Sequence, residues 1–186
     1  MGDKPDSNSG RRAGKVRILG IDPGSQLTGY GVIDMDGNHA RHVTHGQITI
    51  RPGELSEKLR RIFRELSTVI NEFQPEECAI EKVFMYRNAD SALKLGQSRG
   101  AAITACAERG LPVFEYTANQ VKQATVGKGH ADKSQVQYMV KVLLCLAGAP
   151  QADAADALAI ALCHGHSREG ILRLKAVSAA RQGQAQ

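Results

Sequence analysis

Three short stretches near the start of the chain carry the apolar pattern of strands. Residues 16–22 (VRILGID) form an apolar run that reads as a buried strand, and 29–35 (GYGVIDM) reads as a second, with a turn between them. Asp36–Gly37 is a hairpin signal, and 42–50 (HVTHGQITI) reads as a third strand. Such short connections predict three consecutive antiparallel strands. The period then lengthens. Leu55, Leu59, Ile62, Phe63, Leu66, Val69, Ile70 and Phe73 fall at helical spacing within 54–73, and Pro75 ends that helix. CAIEK at 78–82 reads as a short buried strand, 89–109 as a long helix and 113–116 as a last strand opened by Pro112. Helices are predicted at 118–125, 133–146 and 153–165. The order βββαβαβααα predicts an α/β protein, a mixed five-stranded sheet flanked by helices.

Length and composition narrow this picture. The chain has 186 residues and 42% hydrophobic content, which suits one domain over 16–166 with polar tails at 1–15 and 167–186. No apolar run reaches about 18 residues, so no membrane span is predicted. Residues 1–15 have no apolar stretch behind their charges, which argues against a secretory signal. Trp is absent and aromatics are 4%, so the core must be aliphatic and alanine-rich. Cys78, Cys106, Cys145 and Cys163 form no C-x-x-C pair and sit in apolar runs, which reads as buried reduced thiols in a cytoplasmic protein. His39, His42 and His45, at intervals of three on a predicted turn and strand, should point to alternate faces, and His164 and His166 lack a partner pair. Structural or surface histidines are expected at both places rather than zinc ligands.

The net charge of +5 resides in the two tails, because residues 16–166 balance at 16 basic and 16 acidic side chains. Within that core the charge is uneven. Residues 16–81 hold 7 basic and 10 acidic groups, whereas 82–133 hold 8 and 4. An acidic part beside a basic part is compatible with a metal-dependent enzyme acting on a polyanion.

Four acids stand where chemistry is feasible. Asp22 and Glu81 each end an apolar strand, and carboxylates there point into the crevice beyond a sheet. Asp153 and Asp156 open the last helix at i and i+3, on one face. If that helix crosses the sheet with its N-terminus near the two strand ends, all four converge. Their mutual repulsion would then raise their pKa values, and two divalent cations would relieve it. Oxygen ligands without His or Cys select Mg²⁺ or Mn²⁺, and a metal pair can drive an in-line phosphoryl displacement. Each acid also has a plainer reading. Asp22 before Pro23–Gly24 can start a turn, Glu81 can be a surface strand end, and Asp153 and Asp156 can cap their helix. The set of four in strand–strand–helix order favours the catalytic reading.

Residues 117–134 combine Lys122, Lys128 and Lys133 with Gly127 and Gly129, a composition that suits phosphate contact as well as a solvated face. GxxxxDKS at 127–134 falls short of a P-loop, with Asp132 in the glycine position and a helix-to-helix setting, so no nucleotide cofactor is expected. Phe84, three residues after Glu81, either packs in the core or stacks on an unpaired base beside the acids.

Three longer motifs carry a family likeness. IDPGSQLTGYGV at 21–32, EKVFMYRNADSALKLGQSRG at 81–100 and DAADALAIALCH at 153–164 resemble, in order, those of the RuvC family of crossover junction endodeoxyribonucleases. The resemblance spans about 16–166. It implies a ribonuclease H-like fold, a homodimer, Mg²⁺ dependence and symmetric cutting of a four-way DNA junction in recombination and repair. It places the family's catalytic carboxylates on Asp22, Glu81, Asp153 and Asp156. It assigns Lys122 and Lys133 to DNA contact and catalytic support, and a stacking or wedging role to Phe84, with Arg87 and Asn88 as nearby contacts. Cooperation with a RuvA–RuvB branch-migration complex is also implied. One position departs from the family pattern: Lys82 follows Glu81 where relatives commonly have Gln. A binding-only scaffold is the competing reading, against which the intact acid set argues. Small residues on the 89–109 helix, Gly96 and Gly100 among them, mark the candidate dimer face.

Overall fold

In the computed structural model, residues 14–82 and 89–183 are described. The elements follow the predicted order: β1 (Lys15–Asp22), β2 (Leu27–Asp36), β3 (His39–Thr49), α1 (Leu55–Phe73), β4 (Glu77–Glu81), α2 (Ala89–Ala107), β5 (Val113–Tyr116), α3 (Ala118–Val126), α4 (Lys133–Leu143) and α5 (Ala152–Gly183). They build a five-stranded sheet in the order β3-β2-β1-β4-β5. β1 pairs antiparallel with β2 and parallel with β4, so the sheet is mixed, as the pattern of elements predicts.

Strand alternation divides the sheet between two apolar layers. Val16, Ile18, Ile33, Met35 and Ala79 face a cluster completed by α3, α4 and α5. Leu19, Ile21, Val32, Cys78 and Ile80 face α1 and α2. The core is aliphatic, with Tyr116 as its buried aromatic among the described residues. Helix α1 buries Ile62, Leu66, Val69 and Ile70 and stops at Gln74, whose left-handed backbone returns its N–H to the Ile70 carbonyl just before Pro75.

Three expectations are corrected. The last helix does not end at 165 but continues to Gly183, taking in residues that composition set apart as a tail. Its Arg168 grips Glu77, with Nε 2.8 Å from Oε2. The histidines of β3 do not alternate, because a bulge after Val32–Thr44 brings His42 opposite Ile33. His42 Nε2 and His45 Nδ1 thereby come within 2.8 Å on one face. Cys145 is exposed with φ 50°, unlike the other three cysteines, which are buried.

Candidate active site

The strand parity that sorts the core also aims the acids. Asp22 lies in phase with Val16 and Ile18, and Glu81 in phase with Ala79, so both belong to the face that α5 covers. Register brings them together, since Ile21 pairs with Ile80 and the next residue of each strand is the acid. On the other side of β1, Asp22 pairs with Gly29. A Cβ built on Gly29 would stand 2.0 Å from the Asp153 carbonyl oxygen, and one on Gly20 would stand 2.1 Å from that of Ala157. Only glycine permits α5 to lie this close, and that contact delivers Asp153 to the end of β1.

Helix α5 begins at Ala152, and Asp153 sits inside its first turn rather than at the cap. The alternative capping role for Asp153 is therefore not realised. Asp156 turns outward to Lys133, whose Nζ is 3.5 Å from its Oδ2. Lys133 is 82% exposed and Asp156 24%, so this contact contributes little to stability, and its effect is on the charge of the site. Lys133 is placed by its own local sequence. Asp132 caps α4, accepting the Gln135 N–H, while Gln135 returns a bond to the Asp132 N–H, which makes Lys133 the first helical residue. The Asp of the near-P-loop is thus a helix cap.

Electrostatic coupling ties the four acids together. Burial raises the Asp22 carboxyl to about 8, reinforced by the charges of Asp156, Glu81 and Asp153 and opposed by Lys133. Glu81 is raised by burial and by Asp156, against Lys133 and Lys122. Asp156 is raised by burial, while Lys133 and Lys122 hold it down. Lys122 and Lys133 therefore both act on the acids through their charge. Lys128 is exposed in the turn between α3 and α4. Lys82 is exposed just past β4, with its backbone N–H bonded to the Tyr116 carbonyl at 2.8 Å. Phe84, Arg87 and Asn88 lie outside the described residues.

The donors fit a hard divalent cation: all are carboxylates, and their repulsion is what such an ion relieves. No three His, Cys, Asp or Glu side chains among the described residues are yet drawn to ligating distance of one point. The acids interact through their charges as they stand.

Two supports escape a reading of the sequence. Arg99 of α2 donates from Nε to the Glu81 carbonyl at 3.1 Å and pairs with Glu115 of β5 at 2.8 Å, bracing the end of β4. Further down the same face, His164 is fully buried between Tyr116 (Oη–Nδ1 2.6 Å) and Glu77 (Nε2–Oε2 2.8 Å). Bonds from His164 and Arg168 outweigh burial and hold the Glu77 carboxyl down at about 2. The spacing of Glu77 from Glu81, two residues on either side of Ala79 on one strand face, is the only local signal that could have pointed to this pair.

Comparison with known proteins agrees with the motifs. The family model described as crossover junction endodeoxyribonuclease RuvC matches residues 18–164. A protein of that name from Hahella chejuensis is 54% identical over 168 residues, covering 90% of this chain and 98% of its own length. Its counterpart from Marinobacter nauticus is 58% identical over 157 residues, covering 84% and 90%. The structure of Thermus thermophilus RuvC in complex with Holliday junction substrate superposes with a TM-score of 0.78 at 39% identity, covering 83% of this chain and 96% of that one. Yeast mitochondrial Holliday junction resolvase Ydc2 shares the fold alone, with a TM-score of 0.58 at 13% identity. The sheet is ribonuclease H-like, its four candidate acids fall within the matched span, and the chain belongs to the RuvC family of crossover junction endodeoxyribonucleases.

Proposed function

We propose that this chain is a divalent-metal-dependent endonuclease that resolves Holliday junctions by paired, symmetric nicks in recombination and repair. The observation that carries this reading is the meeting of Asp22, Glu81, Asp153 and Asp156 at one pole of the sheet, with Lys122 and Lys133 beside them. The Thermus thermophilus relative in complex with Holliday junction substrate supports four-way DNA as the ligand.

Asp22, Glu81, Asp153 and Asp156 would hold two Mg²⁺ ions, with Mn²⁺ able to substitute. When bound, such a pair activates water and stabilises the leaving oxygen of a phosphodiester, giving 5′-phosphate and 3′-hydroxyl ends. Asp22, the most perturbed acid, must release its proton before it can serve as a ligand. Lys133 opposes the upward shift of Asp156 and would present a cation to the scissile phosphate, while Lys122 does the same for Glu81 from α3. Lys128, on the neighbouring turn, would neutralise a further phosphate. Phe84 is assigned to stacking on an unpaired base, and Arg87 and Asn88 to DNA contact near it. Two like strands require two like sites, hence a C2 homodimer through α2. On that helix Leu93 is 62% exposed, and nothing lies within 4 Å of a Cβ added at Gly96 or Gly100. A cytoplasmic location and cooperation with a RuvA–RuvB branch-migration complex complete the reading.

Incubating the protein with a synthetic four-way junction tests it. Paired nicks should appear in Mg²⁺ and vanish in EDTA, and Asp22→Asn should still bind the junction without cutting it. Full cutting by that variant would overturn the mechanism, and binding without any cutting by the natural chain would favour the scaffold.

A further inference from the structure

Residues 16–81 are acidic overall, yet five of their seven cations line a single groove. Arg51, from the segment after β3, joins Lys58, Arg60, Arg61 and Arg64 of α1 around a depression of about 530 Å³. The other two cations, Arg17 and Arg41, are both committed to Asp34, at 2.7 and 3.1 Å. Glu57 and Glu65 are the groove's only acids among the described residues, which leaves a net charge of +3. Glu65 answers Arg61 only at 3.9 Å, and Arg61 Nε is buried without a hydrogen-bond partner. Like charges concentrated in this way repel one another and cost stability unless an anion is taken up.

The groove also extends toward the turn that follows Asp22. An adjoining cleft shares Pro52 and Lys58 with it and is lined by Ser25 and Gln26, which follow the Asp22–Pro23–Gly24 turn. The Ile50 N–H bonds the Gln26 carbonyl at 2.8 Å, fixing this turn against the end of β3, from which Arg51 departs. The two depressions therefore adjoin, and the second ends at Ser25, three residues beyond Asp22 in the chain. From Lys58 to Arg64 the helix rises roughly 9 Å, enough to face two or three successive phosphates of one strand at about 3.4 Å each.

We propose that this groove is a second DNA-binding site, a track for the phosphate backbone of a duplex arm leaving the catalytic pole. The assignment rests on the junction-nuclease reading above and extends it. Its role is affinity and arm orientation, supplied by cations that neutralise phosphate. Arg60 and Arg64 are exposed and outside the core of α1, so Arg60→Gln/Arg64→Gln keeps the fold.

The test measures binding of the full chain to fluorescent four-way junctions in EDTA across a salt series. One junction has long arms; the other is trimmed to a few base pairs around the crossover. On long arms the double variant should bind several-fold more weakly, with the slope of log affinity against log salt reduced by about two. On the trimmed junction the variant and the natural chain should coincide. Arg109→Gln, past the C-terminal end of α2 at the opposite pole, is the charge control and should change neither slope. Equal slopes for variant and natural chain on long arms overturn the track, and an equal loss on both junctions overturns its assignment to an arm. Failure of the natural chain to bind or cut any junction would instead sink the functional reading.

Discussion

Lys133 shows how one side chain tunes a whole site. It lowers the pKa values of Asp22, Glu81 and Asp156, each of which burial pushes up. Protons compete with cations for these oxygens, so removing the lysine should strengthen the proton's hand. Lys133→Ala is expected to cut junctions about 10- to 100-fold more slowly at neutral pH. Its rising pH–rate limb should move to higher pH, with partial recovery there, whereas Lys133→Arg should keep the natural profile. Rates measured from about pH 6 to 9 decide this. The same titration bears on stability. The folded Asp22 pKa of about 8 lies above its ordinary value of 3.8, so without divalent ions its contribution is complete at low pH. That contribution is lost as pH rises through 8. At this scale the four acids were legible because strand ends and an i, i+3 pair are local patterns. Arg99 and the Glu77–His164 pair were not, since the partners of the latter are 87 residues apart and the spacing of Glu77 from Glu81 alone does not point to His164.

The bond between His164 and Glu77 sets the position of α5 along β4. From Asp156 to His164 the helix rises about 12 Å, and from Glu77 to Glu81 the strand advances about 13 Å. A bond between His164 and Glu77 therefore brings Asp156 level with Glu81 when the two elements run in opposite directions. The glycines of β1 and β2 set the height. Gly29→Ala would drive a methyl into the Asp153 carbonyl, 2.0 Å from the ideal Cβ position. Overpacking of this kind costs about 1–3 kcal/mol, and denaturant unfolding should show a loss of that order together with reduced cutting. The succession of elements along the chain and most helix bounds were readable from periodicity, to within a few residues. The bulge on β3 and the run of α5 to Gly183 were not. An extra residue in a ladder leaves no composition signal, and the polar residues after 165 read equally well as tail.

The whole molecule places its acids at one pole, and cutting two like strands needs a second copy of that pole. Leu93 and the open glycines of α2 form the face through which that copy is proposed to join. Leu93→Glu should shift sedimentation from dimer to monomer and turn paired cuts into unpaired single nicks, while a monomeric natural chain that still cuts in pairs would refute this face. Charge distribution was readable in the sequence only as a sum: the acidic total of 16–81 concealed five cations gathered around α1. Beneath α5, the bare backbone at Gly20, Gly29 and Gly31 has a last consequence. The aim of the acids on α5 depends on atoms that are missing on the strands below, far from that helix in sequence. A survey scoring only melting temperature would file substitutions at these glycines under folding, although the same small lift of the helix would spoil chemistry first.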